Sequence, residues 1–259
     1  MATSDRRPDP AKGVFETLLV VGGEPMEVDG HLARLGRSLT QIYAVALPSG
    51  AEELVRATAA GVELGRLRVT AVPRAGLVDL DLEARPVDPA IIFPASGAAL
   101  RQVARPGGHG AHKWVDRAGM DHPDAGPGQL IRDGEELLEA GWANLFAVRE
   151  ETLWTPAADD RILAGMARAA VLEIARDEGI ETREQPLTAP DLLDADETFL
   201  TNSIRGIEPA TSLDDTPLPG QGPISHRLAA ALQRRWNLNR DWNPPQAAAA
   251  VPKADQLSH

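Results

Sequence analysis

Pro106-Gly107-Gly108-His109-Gly110-Ala111-His112-Lys113-Trp114-Val115-Asp116-Arg117 contains the one lysine in the body of a chain that otherwise writes its cations as arginine. The 259-residue sequence holds three lysines against 23 arginines, and Lys12 and Lys253 fall near the two ends. Arginine stays protonated and is a poor nucleophile, whereas a lysine amine loses its proton when desolvated or set beside another cation. A neutral amine attacks a carbonyl to form a Schiff base, the main covalent role of lysine. By itself this lysine is equally readable as a surface residue, so its neighbours decide. The glycine-rich passage before it separates two compositionally similar halves, and a domain boundary is expected at 106–112.

The length suits one large domain or two smaller ones. Hydrophobic residues make up 43% and aromatics 4%, so the core is built mainly of Leu, Val, Ile and Ala. The chain has no cysteine, which excludes disulfides, thiolate metal sites and a cysteine nucleophile; no metal is expected. A net charge of −12 argues against nucleic acid as partner, because phosphate neutralisation needs basic stripes. No apolar run approaches the roughly 18–20 residues of a membrane span. The opening residues show no apolar secretory core. The expectation is a cytoplasmic protein that acts on small molecules.

The pattern of residues predicts strands and helices in mixture, an α/β or α+β protein. Val14–Val21 is β-rich and Gly22-Gly23-Glu24-Pro25 reads as a turn. Asp29 is the expected N-cap of a helix to about Ala46, with Leu32, Leu35, Leu39 and Ile42 at helical spacing. A second helix is expected near Ala51–Ala60, then strands at Arg66–Pro73, Leu77–Ala84 and Ala99–Ala104. The second half predicts strands at Glu135–Leu138, Leu145–Val148, Thr152–Thr155 and Phe199–Thr201. Helices are expected at Met166–Glu178 and Ile224–Trp236. Residues 1–12 and 240–259 are polar, Pro-bearing or Ala-rich and read as a disordered arm and tail.

Taken singly, the remaining candidates are ordinary. His31 and Arg34, at i and i+3, read as an exposed charged face. Glu139 reads as an acid ending a strand. Ile162–Arg168 leads into a helix whose first N–H groups form an anion site in principle. Thr201–Ile207 reads as a polar loop.

Their order is more informative. Gly13-Val14-Phe15-Glu16-Thr17-Leu18, His31-Leu32-Ala33-Arg34-Leu35, His112–Arg117, Glu139–Phe146, Ile162–Arg168 and Phe199–Asp214 together resemble the class IV aminotransferase family, the fold-type IV pyridoxal-phosphate enzymes. The similarity spans roughly residues 13 to 215. It implies a small N-terminal α/β domain (13–105), a linker (106–112) and a larger, β-barrel-like cofactor domain (113–239). The implied cofactor is pyridoxal 5'-phosphate (PLP), with Lys113 as Schiff-base lysine and base. The resemblance places Glu139 opposite the pyridine nitrogen, with Asn144 nearby. Arg34, the N–H groups of Met166 and Ala167, and Ser203 would hold the phosphate.

The chain departs from the pattern at three places. Ala164 stands where proline is usual and Ala167 where threonine is usual. Many relatives place a tyrosine shortly before the glutamate, toward the cofactor's phenolic oxygen; Glu136 and Leu137 occupy that stretch, and Tyr43, the only tyrosine, lies on a distant helix. Within the family, the Gly107–Arg117 and Thr201–Pro209 blocks are most similar to 4-amino-4-deoxychorismate lyases, which release pyruvate to leave 4-aminobenzoate for folate. The alternative on the same scaffold is a D-amino acid or branched-chain aminotransferase. From another class comes a homologue that only binds a small molecule, which intact Lys113 and Glu139 disfavour. A dicarboxylate substrate needs cationic partners: Arg205 is one candidate and Arg68 another, the latter reading more simply as a surface arginine. The resemblance further implies a homodimer, and a separate aminodeoxychorismate synthase as the pathway neighbour.

Overall fold

The run Val-Phe-Glu-Thr-Leu-Leu-Val-Val forms strand β1 (Val14–Val21) of the computed structural model, which describes residues 8–74, 76–117 and 127–238. Its β-branched and aromatic residues suit a pleated, buried surface, and only Thr17 and Val21 are partly exposed. Gly22 and Gly23, at φ 58° and 81°, turn the chain into β2 (Glu24–Pro25). Helix α1 (Val28–Tyr43) follows, and its buried positions Val28, His31, Leu32, Leu35 and Leu39 recur at helical spacing. It begins two residues earlier than the sequence suggests. Glu27 occupies the N-cap and Asp29 lies in the first turn, where a carboxylate still meets the positive helix end. After α2 (Ala51–Ala59) come β3 (Leu64–Arg74) and β4 (Leu77–Pro86). The sheet order is β2-β1-β3-β4, antiparallel throughout. Leu18, Leu35, Leu39, Val55, Leu67 and Val69 pack its helix-facing side.

The rest of the chain supplies β5 (Ala98–Ala104), β6 (Gly128–Asp133), β7 (Glu136–Ala140), β8 (Ala143–Arg149) and β9 (Thr152–Thr155). Then come α3 (Met166–Asp177), β10 (Thr182–Glu184), α4 (Ala189–Leu193), β11 (Glu197–Asn202), β12 (Gly206–Leu213), β13 (Thr216–Pro217) and α5 (Pro223–Arg235). The strands β8-β11-β12-β5-β6-β7 pair in that order, and β7 pairs β8 again, so six strands close on themselves. Closure removes the unpaired edge that an open sheet would leave. One buried cluster takes a residue from every strand of this ring: Leu100, Leu130, Leu137, Leu145, Leu200 and Ala210. A second apolar layer lies under α3 and α5, where Phe146 stacks on Phe199 with ring centroids 5.1 Å apart.

The mixed α/β architecture with a smaller N-terminal sheet and a larger barrel agrees with the expectation. The boundary between the two sheets does not fall at 106–112. It falls between β4 and β5, because β5 pairs in parallel with β6 and with β12, more than a hundred residues on. Local composition carries no trace of such pairing. Nor do residues 8–12 behave as a loose arm. Pro10–Lys12 makes a 3-10 turn capped by the Asp9 side chain, Asp9 N donates to Asp116 (3.1 Å), and Lys12 Nζ sits 3.2 Å from Asp116. The expectations for residues 1–7 and for the tail at 240–259 lie outside the described residues. Among the described residues, no helix is long and apolar enough to cross a membrane.

A short antiparallel bridge, Val14 to Trp114, joins the two sheets. Phe15 N donates to Lys113 O (2.9 Å) and Val115 N to Gly13 O (3.0 Å). Lys113 is thereby fixed at the seam between the N-terminal sheet and the barrel.

Candidate active site

Lys113 Nζ makes no hydrogen bond or ion pair among the described residues and lies 5.2 Å from the centroid of the Phe15 ring. Burial pushes its pKa down to about 7; Glu16 opposes the shift, and the charges of Arg34, Arg117 and Arg68 add to it. The amine is therefore substantially neutral near pH 7, the state in which it acts as nucleophile.

Around it runs a cleft lined by Arg34, Lys113, Glu139, Asn144, Met166, Ala167 and Ser203. All seven residues expected to meet the cofactor thus share one cavity. Glu139 and Asn144 stand opposite each other where β7 pairs β8. Asn144 Nδ2 donates to Glu139 Oε2 (3.2 Å) and to Leu163 O (2.9 Å), and Leu163 N donates to the same Oε2 (3.1 Å). Oε1 has no donor among the described residues. Burial pushes the Glu139 carboxyl up to about 8, against the Leu163 hydrogen bond and the charges of Arg117, Arg34 and Lys113. At the mouth of α3, Gly165 is an N-cap without a side-chain cap, so the first N–H groups of the helix are open to an anion. Glycine is required there: a Cβ would come 2.0 Å from Asn144 Oδ1. Thr201 Oγ1, also in this wall, is buried without a partner among the described residues.

Arg34 and His31 correct the sequence reading, since neither is on an exposed face. They are 4% and 0% exposed. Arg34 Nε and Nη2 donate to the two oxygens of Glu16 (2.8 and 2.6 Å), Nη1 donates to Ala164 O (2.5 Å), and His31 Nδ1 lies 2.7 Å from Glu16 Oε2. Burial alone would raise the Glu16 carboxyl, but the Arg34 charge and the bonds from Arg34 and His31 hold it well below the usual carboxylate range. Arg34 keeps two of its five N–H groups for a ligand. Glu16 went unnoticed in sequence, although a carboxylate inside an apolar strand is itself a sign of a buried partner.

Beyond Lys113 opens a second cavity of about 460 Å³, walled by Phe15, Arg66, Arg68, Arg85, Arg117 and Arg205. Arg68, a candidate in sequence for a substrate carboxylate although simpler to read as a surface arginine, belongs to this wall: its guanidinium lies 3.8 Å from the Phe15 centroid, and burial lowers its pKa. Arg205 belongs to it too and is held by Glu208 (2.6 and 2.8 Å). Arg117 went unassigned in sequence; it donates to Gly141 O and borders both cavities, as do Trp142 and Asn202. Tyr43 is far from this chemistry, its hydroxyl donating to Pro10 O (2.7 Å).

The first cleft suits PLP on its own evidence. It offers an unpaired amine, a buried carboxyl with one open oxygen, an uncapped helix N-terminus beside an arginine, and the orphaned Thr201 hydroxyl. The comparisons with known proteins agree. Residues 111–213 match the Amino-transferase class IV family model. The chain is 33% identical over 101 residues to the D-alanine aminotransferase of Listeria monocytogenes serotype 1/2a (strain 10403S), a match covering 38% of this chain and 35% of that protein. Such matches span little more than a third of the relatives' length. Among solved structures, the 4-amino-4-deoxychorismate lyase from Pseudomonas aeruginosa superposes with a TM-score of 0.71 at 26% identity, covering 90% of this chain and 96% of that one. A hypothetical aminotransferase from Mycobacterium tuberculosis, in its PLP-bound form, shares the fold with a TM-score of 0.76 at 21% identity, covering 91% and 93%.

Proposed function

We propose that the chain, whose residues 111–213 match the Amino-transferase class IV family model, is a PLP-dependent 4-amino-4-deoxychorismate lyase. The observation that carries this reading is the arginine-walled cavity next to Lys113. Arg66, Arg68 and Arg117 form no ion pair among the described residues, and Asp88 is the one acid in the wall. Aminodeoxychorismate brings two carboxylates, which guanidinium groups bind well. D-Alanine or a branched-chain amino acid brings one carboxylate and an apolar group, a poorer match to that wall.

When bound, PLP supplies the electron sink for the bonds broken at the substrate. Lys113 would hold it covalently, and the freed Nζ would be the base that takes the proton from the amine-bearing ring carbon. The enolpyruvyl C–O bond at the neighbouring carbon then breaks, and the departing group takes up a proton as pyruvate. Glu139, anchored through Oε2, would hold the ring nitrogen. Arg34, the Met166 and Ala167 N–H groups and Ser203 would hold the phosphate. Arg68 and Arg205 would orient the substrate carboxylates. The same reading takes the chain as a homodimer supplied by a separate synthase.

Reduction of the loaded protein with borohydride, followed by peptide mapping, is expected to place the adduct on Lys113. Aminodeoxychorismate should then yield pyruvate and 4-aminobenzoate in equal amounts. A pyridoxamine spectrum with D-alanine, without turnover of aminodeoxychorismate, would establish the aminotransferase that the Listeria similarity favours. Arg68→Ala is expected to raise KM for aminodeoxychorismate about 10–100-fold with kcat little changed, the pattern of a lost binding contact. Steady-state kinetics on the two parameters decide it.

The rate of PLP capture by the cofactor-free chain should follow the neutral fraction of Lys113. Because its pKa lies at about 7, capture is expected to rise about tenfold per pH unit below that value and to level off above it. Stopped-flow absorbance measures this; a profile still climbing at pH 9 would mean that the amine is not desolvated.

A further inference from the structure

His109 is buried in the wall of the Lys113 cleft, 8% exposed, and neither of its ring nitrogens has a hydrogen-bond partner among the described residues. Folded proteins pair nearly all buried polar groups, and an exception signals a missing ligand, water or ion. Gly108 and Gly110 flank His109 with φ 67° and 83°, Gly108 N donates to Arg105 O (3.0 Å), and Gly110 N donates to Arg161 O (3.2 Å). A side chain at Gly108 is impossible, since its Cβ would lie 2.0 Å from Arg161 O. Two glycines in the left-handed region thus shape the backbone on either side of a histidine that lines the cleft.

The imidazole is neutral. Burial, with the charges of Arg105 and Arg117, pushes its pKa down to about 3. A neutral ring carries one N–H donor and one lone pair. It lines the same cleft as Lys113, Glu139 and Arg117.

This inference rests on the PLP reading above. PLP has four polar groups: the aldehyde, the ring nitrogen, the phosphate and the ring hydroxyl. Lys113, Glu139 and the Arg34–α3 cup account for three. The hydroxyl sits on the ring carbon next to the aldehyde-bearing one, on the flank opposite the phosphate. We propose that His109 is the hydrogen-bond donor to this hydroxyl oxygen, and so a binding residue that tunes the bound cofactor. The donor stabilises negative charge on that oxygen.

The test uses the full chain with PLP and three readouts besides turnover. In the wild type, the ¹⁵N signals of the His109 ring are expected to move when PLP is added to the cofactor-free protein. In His109→Phe, the dissociation constant for PLP is expected to rise about tenfold, and the pH midpoint of the bound-cofactor absorption to move up by about one unit. His109→Gln, which keeps a donor, is expected to recover most of both effects. Unmoved ¹⁵N signals, or a His109→Phe protein with wild-type affinity and midpoint, would overturn the assignment of His109 while leaving the adduct on Lys113. A variant that loses affinity but keeps the wild-type midpoint would likewise overturn it, reducing His109 to a packing role. A wild-type chain that takes no adduct at Lys113 overturns the cofactor reading itself.

Discussion

Lys113→Ala is expected to lower turnover at least about 10⁴-fold, because one change removes both the covalent anchor and the base. The loss should come without damage to the fold. The Lys113 amine has a pKa of about 7 in the folded chain and about 10.4 in an unfolded one. Between those values the folded state binds fewer protons, so stability falls as the pH drops and the penalty is at full size below pH 7. At pH 7 it amounts to about 4 kcal/mol on the scale of 1.36 kcal/mol per unit. Alanine removes that penalty and leaves a void that costs about 2–5 kcal/mol. The two nearly offset, so the cofactor-free variant should melt close to the wild-type temperature at pH 7. Calorimetry with single-turnover assays checks both halves, and an activity loss under about 100-fold would sink the assignment.

Glu16→Ala should do the reverse and unsettle the fold first. It takes the carboxylate from under Arg34 and His31, which are 4% and 0% exposed, and leaves a buried guanidinium without its counter-charge. Breaking such a pair costs about 3–5 kcal/mol, or roughly 10 °C in melting temperature for a chain of this size. The pH dependence identifies the cause. The folded-state pKa of Glu16 is depressed, so its contribution is present above the unfolded carboxyl pKa and is lost as the pH falls through the folded one. The gap between wild type and variant should therefore narrow as the pH is lowered below about 4.3. Denaturant titrations across that range measure it; a gap independent of pH would mean that Glu16 acts by packing alone.

These two residues also mark what the sequence discloses. Lys113 and Glu139 stand out because each sits in a short block whose neighbours are local in the chain. The strands and helices of the N-terminal half follow from alternation and helical spacing, as with Leu32, Leu35 and Leu39. Glu16 belongs to a bond that crosses from strand to helix, so nothing in its own segment names Arg34 as partner. A carboxylate in an apolar run and two polar residues on an apolar helix face were each visible; that they answer each other was not. The membership of β5 in the barrel was hidden for the same reason, since both of its partners are distant in sequence. Arg68 stayed open between two readings because alternation on β3 shows which residues share a face, not what lies across from that face.

The hairpin that closes the barrel has a temporal meaning as well. Glu139 and Asn144 face each other across the β7–β8 pairing that completes the six-strand ring. That hairpin joins neighbours in the chain, whereas β5 must find β12 more than a hundred residues on, and such non-local pairing is intrinsically slow. The cleft also needs Leu163 N on Glu139 and Arg34 from the other sheet. The yellow of bound PLP would then serve as a natural stain for finished molecules, and its appearance during refolding would time the distant pairings rather than the local ones.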